Sequence, residues 1–137
     1  MFQLKKIASL ITFTAVISFI GTGCKKDKHV PPNINFKTGA GYTSADGTVA
    51  RNTAVKVGII ADKVEDDMNT YNVSYAYDAT ATTTTFQTFT LSGGEQQHYD
   101  KEVTFNTRNQ AGTEKWTFTI TDKDGNIAQK QVVLTVP

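Results

Sequence analysis

The chain has 137 residues with 14 Lys and Arg against 13 Asp and Glu, 39% hydrophobic residues and one cysteine. So even a balance argues against nucleic acid as a partner, and a single cysteine excludes an intramolecular disulfide. The length suits one domain of ordinary size, large enough to bury a core without a metal or a disulfide.

In chain order, Lys5 and Lys6 precede an uncharged, mostly apolar run from Ile7 to Ile20. Its 14 residues fall short of the roughly 20 that a helix needs to span a bilayer, so the run predicts a secretion signal rather than a membrane span. Gly21-Thr22-Gly23 then leads directly into Cys24. This small-residue approach to a cysteine resembles the lipobox of bacterial lipoproteins, with Gly21 at a position where an aliphatic residue is usual. The resemblance implies cleavage before Cys24, a diacylglyceryl thioether on its sulfur and acylation of the new amino terminus. It makes the membrane a partner through the lipid on Cys24 and implies a place in a bacterial cell envelope, on either the periplasmic or the outer-surface side. An ordinary signal peptide cut near Gly23, leaving a free thiol, is the alternative.

The expected organisation is a signal peptide over 1–23, a lipidated tether over 24–33 and one domain over 34–137. Without Lys5 and Lys6 the mature chain carries a formal charge near −1. Lys25 to Asn33 is almost free of apolar residues and ends in Pro31-Pro32-Asn33, the composition of a semi-extended linker.

Beyond Asn33 no 3.6-residue period survives, and β-prone residues alternate between turn-forming clusters. Ile34 and Phe36 predict a short first strand, and Thr38–Gly41 and Ser44–Gly47 predict turns, with a loose loop before the next strand. Val55, Val57 and Ile59 alternate with polar or small residues, as do Tyr71, Val73, Tyr75 and Tyr77, which predicts strands with one buried face. In the stretch Thr82–Leu91, Phe86 and Phe89 fall on opposite faces under strict alternation, so a bulge, a bend or an edge position is expected. After a turn at Ser92-Gly93-Gly94, Tyr99, Lys101, Val103 and Phe105 form a further strand. Trp116, Phe118 and Ile120 form the next, and Asp122-Lys123-Asp124-Gly125-Asn126 turns the chain into a last strand through Val132, Leu134 and Val136.

About seven short strands at this spacing predict an all-β, antiparallel sandwich. The stretch from Trp116 to Val136 resembles the closing hairpin of bacterial immunoglobulin-like and PKD-like extracellular modules, which implies an immunoglobulin-like β-sandwich. No Cys pair flanks the Trp and no Trp-X-Phe-Gly-Asp-Gly segment is present, so the antibody type is not expected.

Chemistry-bearing patterns are sparse. Asp122 and Asp124 on one loop and Asp66 and Asp67 on another are weak calcium candidates, because calcium takes several oxygen ligands on a tight loop. The first loop departs from the EF-hand pattern, with Ile127 where Gly is required and Val133 where the late Glu belongs. No nucleophile elbow or phosphate-binding glycine loop occurs, and no cofactor is implied. Catalysis needs a convergent constellation, so the expectation is a non-enzyme. Tyr71, Tyr75 and Tyr77 are expected to be the buried side of their strand. Tyr42, Phe89 and Tyr99 are the candidates for an exposed ligand patch. The function expected is a membrane-anchored protein-binding or adhesion module contacting another envelope protein, with capture of a surface glycan as the alternative. Thr82–Thr85 is the candidate edge for strand addition.

Overall fold

The structure, a computed structural model, describes residues 28–137. The signal segment and Cys24 lie outside the described residues. Eight strands form among the described residues: β1 (Asn33–Phe36), β2 (Gly47–Thr48), β3 (Ala54–Asp62), β4 (Met68–Tyr77), β5 (Thr84–Thr90), β6 (His98–Asn106), β7 (Gly112–Asp122) and β8 (Ile127–Val136). They make a three-stranded sheet in the order β1-β3-β6 and a five-stranded sheet in the order β2-β8-β7-β4-β5. The chain changes sheet between β1 and β2, between β2 and β3, between β3 and β4, between β5 and β6, and again between β6 and β7. A partition of β3 and β6 against β4, β7 and β8 matches the B–E against C–F–G division of immunoglobulin-like sandwiches, with β1 as the first strand and β5 added beside β4. The fold is an immunoglobulin-like β-sandwich, as the strand spacing and the closing hairpin implied.

The alternating residues face each other across the layers. Val55, Val57, Ile59 and Ala61 of β3 and Tyr99, Val103 and Phe105 of β6 are buried against Tyr71 and Val73 of β4, Trp116, Phe118 and Ile120 of β7, and Val132 and Leu134 of β8. Aromatic contacts tie sheet to sheet: Phe36 meets Phe118 edge-on at 5.7 Å, Tyr71 meets Tyr99 at 5.5 Å, and Phe105 stacks on Trp116 at 3.5 Å. Pairs of this kind add to the stabilisation that burial itself provides.

Three features differ from the expected course. β2 was expected as loop; it is a two-residue strand running parallel to Leu134–Thr135 of β8, too short and too remote from its partner to show any alternation. The turn after Ser92 is a single 3-10 turn, Gly93–Gln96, with the Ser92 N–H donating to Glu95 Oε2 at 3.2 Å. In β4, Tyr71 is buried, whereas Tyr75 and Tyr77 are only half-buried near the end of the strand.

The two ends of the sandwich follow from strand direction. One end gathers the β3–β4 loop, the 3-10 turn and the β7–β8 hairpin. The other gathers the β4–β5 loop, the β6–β7 loop and the chain terminus.

Candidate functional site

From Ala79 to Gly94 the chain carries no charged residue, and β5 lies in the middle of that stretch. It pairs only with β4, so its far side presents unpaired backbone N–H and C=O groups. Proteins usually blunt such edges with charge, proline, shortness or bulges. Among the described residues the other three edges follow that practice. β1 has 4 residues and β2 has 2, while β6 carries Asp100, Lys101 and Glu102. β5 has 7 residues and none of those charges.

What holds this exposed strand in place is the mismatch of its two phenylalanines. Thr85 pairs with Ser74 and Gln87 with Val73, which leaves Phe86 as the extra residue of a bulge. The bulge turns both rings inward. Phe86, 37% exposed, lies edge-on to Trp116 at 5.3 Å and to Phe105 at 6.4 Å. Phe89 stacks on Tyr71 at 5.9 Å, with Lys101 Nζ 4.4 Å from its ring centre. Two inward-packed rings, Phe86 partly exposed and Phe89 half-buried, therefore secure a strand whose backbone and threonines face solvent. Behind the edge the outer sheet face continues without charge along the ladders Thr88–Asn72–Thr119–Gln129 and Thr85–Ser74–Thr117–Gln131. Asn72 Nδ2 donates to Thr88 Oγ1 at 2.8 Å, and Gln129 Nε2 to Thr119 Oγ1 at 3.0 Å. Of the candidate segment Thr82–Thr85, Thr84 and Thr85 lie in β5 and Thr82 and Thr83 lead into it.

The acidic loops do meet, but around a lysine. The Lys123 amide donates to the Asp67 carbonyl at 2.9 Å, and the Asp67 carboxylate accepts from Lys63 Nζ at 2.7 Å, Lys123 Nζ at 2.9 Å and Gln97 Nε2 at 2.6 Å. Asp122 is occupied within its own hairpin, accepting the N–H groups of Asp124 at 3.0 Å and Asn126 at 2.8 Å and the Asn126 amide at 2.9 Å. Among the described residues no three His, Cys, Asp or Glu side chains converge as metal ligands, so Asp66, Asp67, Asp122 and Asp124 are not brought into one such cluster. The hydrogen bond from Lys63, then those from Lys123 and Gln97, hold the Asp67 carboxyl far below its ordinary 3.8. A lowered folded-state value stabilises the fold above the unfolded value and loses that contribution as pH falls. Asp67→Asn is therefore expected to lower Tm at pH 7, with the deficit shrinking below about pH 4, in thermal melts followed by circular dichroism.

Tyr42, Phe89 and Tyr99 do not form an exposed patch. Tyr99 is 5% exposed and packs in the core, where burial pushes its hydroxyl up to about 12. Its place on the inward phase of β6, with Val103 and Phe105, is the reason. Tyr42 is half-buried, and its hydroxyl donates to Glu102 while Lys37 and Lys56 each stand 5.8 Å from its ring centre. That hydrogen bond raises the Tyr42 pKa.

A polar group at the opposite end escapes a motif search. Glu114 is fully buried on the inner face of β7 and accepts from the Arg108 amide at 2.7 Å and Trp116 Nε1 at 3.0 Å. The Arg108 guanidinium lies 4.6 Å from the Tyr77 ring centre and pairs with Asp78, which also accepts the Thr113 N–H at 3.0 Å. Gly112, at φ +144°, passes so close that a Cβ there would sit 2.0 Å from Arg108 Nη2 and 2.1 Å from Asp78 Oδ1. The one available signal is that Glu114 is in phase with Trp116, Phe118 and Ile120. Every polar contact in the group serves to close the sandwich end.

No protein-family model matches the chain, and no curated protein matches it. Among solved structures it is similar to one of murine CRIg, with 14% sequence identity over 77% of this chain and 98% of that one and a TM-score of 0.43.

Proposed function

We propose that the chain is a lipid-tethered, non-catalytic binding module of a bacterial cell envelope that captures a protein partner by adding a strand along β5. The observation that carries this is the long uncharged edge of β5, the one edge among the described residues that lacks charge and shortness alike. Main-chain hydrogen bonds would supply affinity in that mode, and the threonine ladders behind the edge would supply side-chain contacts. The lipobox-like Gly21-Thr22-Gly23-Cys24 supports the tether. Glycan capture by a plate of coplanar exposed aromatics finds no support, since Tyr99 and Tyr71 are core residues and Phe89 is covered by Lys101.

The double variant Thr85→Lys, Gln87→Lys installs the edge charges that other strands carry. Both side chains are exposed, so the expected Tm is unchanged. Retention of the partner from detergent-solubilised envelopes is expected to fall by about tenfold or more, or roughly 1.4 kcal/mol. Lysines at the exposed Thr104 and Asn106 of β6 serve as the matched control. Equal capture by the two double variants would remove strand addition at β5.

A further inference from the structure

The first described residues of the tether are clamped to one end of the sandwich. A single carboxylate, that of Glu65 in the β3–β4 loop, accepts the Lys28 amide at 3.1 Å and the Val30 amide at 3.2 Å. Pro32 is buried and Asn33 opens β1 opposite Asp62. Lys28 is four residues beyond Cys24, and four residues reach at most about 14 Å even when fully extended. The strands, by contrast, are long: β7 has 11 residues, or about 36 Å.

We propose that the sandwich stands end-on to the membrane that holds the Cys24 lipid, with the β3–β4 loop, the 3-10 turn and the β7–β8 hairpin facing the lipid headgroups. This rests on the lipid reading of Cys24. Two side-chain observations agree with the stance. Val64, 53% exposed, and Ile127, 56% exposed, are two of the three exposed large apolar residues among the described residues, and both lie at this end. Four of the carboxylates at this end carry hydrogen bonds: Glu65 from the tether amides, Asp67 from two lysines, Asp122 within its hairpin, and Asp62 with His98 Nδ1 at 2.7 Å. The exposed apolar side chains of Val64 and Ile127 at this tip suit a lipid-headgroup surface. Standing this way, β5 runs from the outward end toward the membrane, with its open edge reachable from the side. The Arg108–Tyr77–Asp78 end points outward.

The test uses the full lipidated chain on phosphatidylcholine vesicles containing a fluorescent acceptor lipid. Because Cys24 is the sole cysteine and its sulfur would be in the thioether, Val64→Cys or the exposed Ala81→Cys adds the one thiol available to a donor dye. Energy transfer is expected to be several-fold more efficient from position 64 than from position 81. Glu65→Ala, which removes the hydrogen bonds to the Lys28 and Val30 amides, is expected to narrow that difference. Equal transfer from the two positions, or stronger transfer from 81, would overturn the stance. A difference untouched by Glu65→Ala would overturn the role of the clamp. Failure of the protein to float with vesicles would instead overturn the lipid anchor, and the stance with it.

Discussion

Trp116→Ala is expected to cost about 3–5 kcal/mol of folding stability, the range for deleting a large aromatic from a packed core. Trp116 is 2% exposed and joins the two layers through its stack on Phe105, while Tyr75 and Phe86 pack against it from β4 and β5. The substitution opens a cavity between the sheets and removes one of the two hydrogen bonds to the buried Glu114. Urea unfolding followed by far-ultraviolet circular dichroism measures it, because the tryptophan fluorescence disappears with the side chain. Trp116→Phe, which keeps a ring but loses the N–H, is expected to fall between wild type and Ala. The loss should also reach the proposed binding edge, since Phe86 uses the indole as its platform. Partner capture by Trp116→Ala should therefore weaken even at temperatures where the domain remains folded.

Glu114→Ala is expected to cost about 3 kcal/mol, because it strands two buried donors rather than deleting a balanced pair. The Arg108 amide and Trp116 Nε1–H both point at this carboxylate, and Arg108 Nε approaches it at 4.0 Å. Glu114→Gln should cost less, since its amide oxygen can still accept, but it brings an NH2 group that needs a partner of its own. Melting curves of the two variants measure the difference. If Glu114→Ala melted with the wild type, the network would contribute nothing to closing the sandwich end.

Much of the layered architecture was legible because a strand with one buried face writes its orientation into alternate residues. The inward set of β3, of β7 and of the latter half of β8 is the set that alternation marks, and the Asp122–Asn126 turn joins the last two strands. The irregularity of β5 was also visible, since two phenylalanines out of phase point to a bulge, a bend or an edge position, and the strand is an edge with a bulge at Phe86. The candidate site was only partly visible. Thr82–Thr85 stood out as an edge by composition, but its lack of protection has meaning only beside the short β1 and β2 and the charged β6.

The sequence by itself marked seven of the eight described strands, most of their buried faces and the irregularity in Thr82–Leu91, because each depends on the spacing of neighbours along the chain. Only the tertiary structure decided which strand is an open edge, that Lys123 fills the space between the acidic loops, that Glu114 is held in the core by Arg108 and Trp116, and that Glu65 clamps the tether. Those arrangements depend on which strand ends come together across the sandwich. That is set by the burial of all the strands at once, and no local period records it.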